Sequence, residues 1–399
     1  MNVLLITTDQ QRADTLGCAG NPLDATPRVD ALAREGTRYT AARTQNPLCQ
    51  PARATILTGT YPSTHGVTCN GVDLPADGVD RSLATLLGAA GYRTAIIGKA
   101  HFATTFPYYP TGKVESVEGS ARVRDDWYGP YAGFDHAELI LFGHNLRIAD
   151  LMGHWSWAFG PPPFGLHYAR FLFRDGAEKG YERLRLMQPE AAGVEWDHTQ
   201  TWANALPEED HPTTWIADRA IEWLRAVDEP FFAWVSFTDP HHPMDPPAPW
   251  SSRYDPADVL EVLPEIHPDE HATKPPIHST LASGLRGRAL EWANPGGATL
   301  TREELAKMTA GYYAMVAAAG PRDRPCARRA RGARRRRRDA RHRHDRPRRV
   351  PRRAPDDLQG AVRVRQSLEG CRSSCAGPAS LRVRSSTTRS APSTSRRPP

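Results

Sequence analysis

Apolar runs and helical periods alternate along the first 320 residues. Val3-Leu4-Leu5-Ile6, within Asn2 to Thr8, reads as a fully apolar strand, the pattern of a sheet centre covered on both faces. Thr26-Pro27-Arg28-Val29-Asp30 opens a helix to about Glu35, with threonine as cap, proline in the first turn and Gly36 beyond the end. Thr37 to Arg43 is strand-like, Arg53 to Leu57 helical, and Ser82 to Ala90 a helix closed by Gly91. Tyr92 to Ile97 reads as the next strand, Thr214 to Val227 as an amphipathic helix, and Pro230 to Phe237 as a buried strand. Thr301-Arg302-Glu303-Glu304 carries a capping box that starts a last helix, running to about Ala319. Residues 102–200 are rich in Trp, Pro and Gly without a clear period, and read as insertions that shape a pocket. Residues 240–300 are loop-rich. Strands alternating with helices predict an α/β fold around a mostly parallel sheet.

Charge divides the chain. The net +6 hides a tail, residues 321–399, with 25 arginines, no lysine and six acidic residues, or +19. The preceding 320 residues hold 26 basic and 39 acidic side chains, or −13, together with all 33 aromatics. The body has the composition of a large folded domain. A tail without Phe, Tyr, Trp or Ile cannot build a core and is expected to be disordered. The cysteines, Cys18, Cys49, Cys69, Cys326, Cys371 and Cys375, have no spacing that suggests a disulfide framework or a zinc site. No basic leader precedes the first strand and no run of 18 apolar residues occurs, so a cytoplasmic protein without a membrane span is expected.

Candidate chemistry sits at the predicted strand ends. Asp9-Gln10 follows the first strand, where open α/β sheets place ligands. Cys49-Gln50-Pro51-Ala52-Arg53 runs into Ala54-Thr55-Ile56-Leu57-Thr58-Gly59. Pro51 suits a first helical turn, which puts Cys49 at the positive N-terminal end, with Arg53 one turn on. Gly98-Lys99-Ala100-His101 follows the strand at Tyr92–Ile97. Lys99 and His101, one residue apart on an extended segment, point the same way and could together neutralise a developing oxyanion. Phe237-Thr238-Asp239-Pro240-His241-His242-Pro243 follows the buried strand at 230–237. Taken singly, each has an ordinary reading: a small buried thiol, a turn cap at Asp9, an Asn-Gly turn at Asn70-Gly71, a solvated Lys-His pair, a surface histidine. Five such segments in one order, each at a strand end or helix start, argue for a site.

The cysteine segment resembles the sulfatase signature C-x-[SPA]-x-R…L-T-G. The others resemble, in order, segments of the sulfatase and phosphonate monoester hydrolase group of the alkaline phosphatase superfamily. Together they cover most of residues 1–320. The resemblance implies an alkaline-phosphatase-like fold, a mostly parallel central sheet flanked by helices, with its C-terminal part missing or disordered. It implies that a formylglycine-generating maturase oxidises Cys49, and that the hydrated aldehyde attacks a small-molecule sulfate ester. A gem-diol offers one oxygen to attack and a second to expel the group. By resemblance, Asp9, Gln10 and the Cys49-derived group bind one divalent cation, Ca²⁺ first, with Mn²⁺ or Mg²⁺ as alternatives; oxygen ligands suit such hard ions. Arg53 would hold the formylglycine oxygen, Lys99 and His101 the sulfate oxygens, and Asn70 the anionic ester. His241 would protonate the leaving group or bind sulfate, and His242 would be structural.

One part of the pattern is missing. Relatives complete the metal site with a segment like S-D-H-G after a helix beginning Y-Y-x-M-[IV]. Gly311-Tyr312-Tyr313-Ala314-Met315-Val316 fits that helix, but no D-H-G follows residue 320. The chain turns instead to Ala318-Ala319-Gly320-Pro321-Arg322 and the run Arg334 to Arg338. His344-Asp345 has the residues reversed and no strand before it. A frameshift near residues 317–320 accounts for the abrupt gain of arginine and loss of every aromatic. The sequence therefore implies residues 1–320 as an incomplete catalytic domain, with impaired hydrolysis and poor solubility. Phosphonate monoesters or phosphodiesters are alternative substrates. A non-enzymatic fragment, or a polyanion binder acting non-specifically on nucleic acid through the tail, is the alternative in kind. The coding DNA tests the frameshift: one of the two other frames past codon 320 should encode a strand followed by Asp-His-Gly, and the idea fails if neither does.

Overall fold

The computed structural model describes residues 1–104, 113–141, 147–149, 155–157, 166–195, 199–263, 300–320, 361–367 and 380–382. Cys326, Cys371, Cys375 and His344-Asp345 lie outside these residues. The strands in chain order are β1 (Val3–Asp9), β2 (Thr37–Tyr39), β3 (Arg93–Lys99), β4 (His136–Ile140), β5 (Arg147–Ala149), β6 (Trp155–Trp157), β7 (Phe231–Ser236), β8 (Ala361–Ser367) and β9 (Ser380–Arg382). Seven of them form one sheet in the order β2-β9-β8-β1-β7-β3-β4, and β5-β6 is a separate antiparallel ribbon. From β8 through β4 every neighbouring pair is parallel; only β9 pairs antiparallel, with β8 and β2. The mostly parallel α/β architecture follows the sequence pattern.

The central strands are buried because they are apolar throughout. All six residues of β7 are buried, and Trp234 and Phe232 are fully enclosed. They pack with Ile96, Ile97, Phe134, Leu139 and Trp215 into the main core. Trp234 keeps its one polar atom satisfied by donating Nε1–H to Thr7 Oγ1 at 2.9 Å. The register sets Val3–Thr7 of β1 beside Phe232–Ser236 of β7, and Arg93–Gly98 of β3 along the other edge of β7. Asp9, Lys99 and Ser236 therefore come out at one carboxyl edge of the sheet. Gly98 makes the β3–β7 approach possible. It has φ +106°, and a Cβ there would lie 2.0 Å from the Ser236 carbonyl oxygen.

The boundaries differ in informative ways. The helix spans Cys49–Thr58, with Cys49 at its N-terminal end as expected, and β3 runs on past Ile97 through Lys99. Within 102–200, Leu166–Leu172 and Ala177–Leu186 are helices that the mixed composition concealed. The last helix, Arg302–Ala318, has its capping box at Thr301 and Glu304 as expected. Two stretches of the arginine-rich tail, expected to be unordered throughout, are strands in the sheet. Ala361-Val362-Arg363-Val364-Arg365 alternates apolar and polar residues with the period of a strand, and β1 offers it an edge. No helix among the described residues is long and apolar enough to cross a membrane.

Gly98→Ala would place a methyl group against a fixed backbone carbonyl at a left-handed position. We expect a loss of roughly 3 kcal/mol or more of folding stability, read as the shift in urea midpoint at unchanged slope.

Candidate functional site

Cys49 is the first residue of the Cys49–Thr58 helix and is 1% exposed. Its neighbours place it there. Leu48 stays extended, Pro51 pre-sets the first turn, and Gly59 ends the helix in the left-handed region. No side chain at the cap residue closes the N-terminus. Asn70 does so from a distance, its Oδ1 accepting from the Gln50 backbone N–H at 3.0 Å. Gln50 returns the contact, its Oε1 accepting from the Gly71 N–H and its Nε2 donating to the Val72 carbonyl at 3.3 Å. The Asn70-Gly71 turn is thus bolted to the start of the cysteine helix.

Around the thiol, three buried charges converge. The Lys99 ammonium donates to Cys49 Sγ at 3.3 Å and stands 2.7 Å from Asp9 Oδ2. The thiol lies 3.8 Å from both Asp9 carboxylate oxygens. Arg53 is enclosed and fully extended into the sheet edge: Nη2 meets Asp9 Oδ2 at 3.0 Å, while Nη1 donates to the Lys99 carbonyl at 2.7 Å and to Ser236 Oγ at 2.8 Å. Burial by itself would raise the Asp9 carboxyl. The Lys99 and Arg53 cations outweigh it and hold the group well below the usual carboxylate range. For Lys99 burial dominates and lowers the ammonium, with Asp9 opposing. One carboxylate against two cations leaves a pocket of net positive charge beside the thiol.

Both expected histidines reach this charge field. His101, at φ +53°, follows Lys99 by two residues. Burial, then Lys99 and Arg53, press its imidazole well below the ordinary value. His241 is lowered likewise by burial, His242 and Lys99, with Asp9 opposing. Both environments thus favour the neutral ring. His241 Nδ1 lies 2.6 Å from the His242 carbonyl. His242 has work of its own: its backbone N–H donates to Gln10 Oε1 at 3.2 Å and its Nδ1 lies 2.9 Å from the same oxygen. Asp239, fully buried, accepts from Thr213 Oγ1 at 2.6 Å and gives its carbonyl to the Asp9 N–H at 3.1 Å. Tyr312 of the last helix donates to the Gln10 carbonyl at 2.6 Å and accepts from the Arg12 N–H at 2.7 Å.

Asp9, Cys49, Arg53, Lys99, His101 and His241 thus share one charge field, and Gln10 adjoins it. Asn70 sits behind the helix start as a cap. Ser236 and Tyr312 hold the site without having been singled out for it, while His242 braces Gln10. As a divalent site the donor set is incomplete. Asp9 already faces two cations, Gln10 Oε1 accepts from His242, and no group of three His, Cys, Asp or Glu that could hold a metal occurs among the described residues. Two oxygen donors fall well short of the six to eight that Ca²⁺ takes.

The family model named Sulfatase matches residues 1–259. The chain is 30% identical to an uncharacterized sulfatase, YidJ, of Escherichia coli K12, over 71% of this chain and 47% of that protein. It is 29% identical to an arylsulfatase of Clostridium perfringens, over 66% of this chain and 48% of that one. It is also 29% identical to PehA, a multifunctional alkaline phosphatase superfamily protein of Trinickia caryophylli, over 79% of this chain and 56% of that one. The chain spans about half the length of these curated relatives. Its fold is that of the phosphonate monoester hydrolase of Agrobacterium radiobacter, with a TM-score of 0.61 at 22% identity, covering 96% of this chain and 67% of that one.

Asp9→Asn would leave Arg53 and Lys99 buried without their counter-charge. A loss of about 3–5 kcal/mol is expected. Added sulfate should restore the melting temperature of the variant by more than it raises that of the unmodified protein, because the anion replaces the lost charge. Equal effects of sulfate on the two proteins would refute the charge assignment.

Proposed function

The chain belongs to the sulfatase family, and on that footing we propose that it carries the nucleophile and anion-binding half of a sulfate-ester hydrolysis site. Cys49 is the residue converted to formylglycine. The observation that carries the reading is the thiol at a helix N-terminus, 3.3 Å from the Lys99 ammonium and within one turn of Arg53. The Cys49 Sγ stands where an oxygen of the hydrated aldehyde would be, and that group supplies one oxygen to attack sulfur and a second to release it. Lys99 and the helix N-terminus favour the ionised form of such an oxygen. Arg53 fixes the geometry by tying the helix to the ends of β1, β3 and β7 through Asp9, Lys99 and Ser236.

Lys99 and His101 would orient the ester's anionic oxygens. His241 would protonate the leaving group. A bound anion beside the neutral ring would raise its proton affinity, so substrate itself would recruit the acid form. Asp9 and Gln10 would be the first two ligands of a divalent cation. The donors among the described residues do not close that site. Weak or absent turnover follows for the chain as it stands.

A second reading keeps the residues and changes the ester. The multifunctional relative gives it support, and a phosphonate monoester or phosphodiester is a similar tetrahedral anion. Relative rates on aryl sulfate and aryl phosphonate rank the two.

For chain co-expressed with a formylglycine-generating enzyme, the tryptic peptide holding Cys49 should show sulfur replaced by oxygen with loss of two hydrogens. The purified protein should hold less than one equivalent of Ca²⁺, Mn²⁺ or Mg²⁺, and Cys49→Ala should remove whatever aryl sulfate hydrolysis is present. An unconverted Cys49 overturns the nucleophile assignment. A stoichiometric cation overturns the half-site reading.

A further inference from the structure

One buried acid near the site has no part in the chemistry above. Glu115 is 3% exposed. Its Oε1 accepts from the Phe102 backbone N–H at 2.9 Å and from the Tyr131 hydroxyl, and the His101 backbone also hydrogen-bonds to the carboxylate. Two successive N–H groups at a left-handed residue form a concavity that suits an anion. Here the chain supplies the acceptor oxygen from its own side chain.

The seat is braced on every side. The Tyr131 ring stacks on Phe102 with centroids 6.3 Å apart. The Leu74 N–H donates to the Phe102 carbonyl at 2.8 Å, and the Thr104 N–H to Asp73 Oδ1 at 2.6 Å. Burial raises the Glu115 carboxyl to about 7, against its hydrogen bonds from Tyr131, Phe102 and His101 and the Arg53 charge. The same Arg53, with Lys99 and Asp9, acts on the His101 ring. The backbone between Lys99 and Thr104 is therefore held by carboxylates that touch no reacting atom.

We propose that Glu115, braced by Tyr131, is a positioning residue: it seats the His101 and Phe102 N–H groups and thereby sets the His101 imidazole against the anion-binding face of Lys99. The inference rests on reading His101 as an anion ligand, and the two can be tested apart.

In ¹⁵N-labelled full-length chain, with the His101 ring assigned by its absence in His101→Gln, Glu115→Ala should cost the Phe102 amide its downfield position and move both His101 ring nitrogens. Glu115→Gln keeps an oxygen acceptor and should recover most of both shifts. Tyr131→Phe keeps the ring stack and should give an intermediate change, which also covers the case in which Glu115→Ala does not fold. Unchanged Phe102 and His101 signals in folded Tyr131→Phe, and in Glu115→Ala where it folds, would overturn the proposal. Calorimetric titration of the unmodified protein with inorganic sulfate tests His101's role separately, since the ring signals report on Glu115 whether or not sulfate binds.

Discussion

The buried triangle of Asp9, Arg53 and Lys99 is the constraint from which the rest of the site follows. Each of the three is at most 3% exposed at its side chain. Moving a lone ion into such surroundings costs several kcal/mol, and only close pairing with further hydrogen bonds offsets it. Arg53 meets that demand by bonding three chain segments at once, from β1, β3 and β7. The ion cluster is thus also the joint that fixes the Cys49 helix to the sheet edge. Its charge does not cancel. Two cations face one carboxylate at a helix N-terminus, and an anion entering beside Cys49 would complete the balance.

The sheet makes that convergence possible through an unusual closeness at its centre. Gly98 lets β3 lie against the Ser236 carbonyl, and the next residue is Lys99. Beyond it the backbone turns through His101 in the left-handed region, where Glu115 receives its N–H groups. On the β1 side, Gln10 is also left-handed, at φ +57°, and is held by Tyr312 and His242. Such conformations cost of order 1–3 kcal/mol each and persist where the surroundings over-determine them. Both strained turns flank Asp9 and Lys99, which places the strain at the chemistry.

What the sequence made legible, and what it hid, has a physical division. Asp9, Cys49, Arg53, Lys99 and His241 were legible as candidates because their segments resemble family motifs and follow a predicted strand or open a predicted helix. The parallel sheet was legible in the alternation of strand and helix patterns. The supports were not. Ser236, His242, Tyr312 and Glu115 act on residues 13 to 302 positions away, and no local pattern reports a partner so remote. Asn70 shows the converse. Its Asn-Gly turn was visible, but not that its side chain would cap the cysteine helix 20 residues upstream. The helices inside 102–200 were hidden because Trp, Pro and Gly dominate the composition around them. The tail strands were hidden because 25 arginines mask a short Val-Arg alternation.

The same division explains how a family assignment and an incomplete site coexist. Cys49 and the charged groups around it are drawn from β1, β3 and one helix, all within the span that the family model matches. A shell of six or more oxygens would need more donors than Asp9 and Gln10, and past residue 320 the composition changes abruptly. Lys99 and Arg53 hold the Asp9 carboxyl well below the usual carboxylate range. Metal binding would have to compete with these two cations for the same carboxylate, and with His242 for Gln10. Anion affinity and metal affinity are therefore separable properties here. The first would draw on the cations at the sheet edge, while the second would depend on donors beyond Asp9 and Gln10.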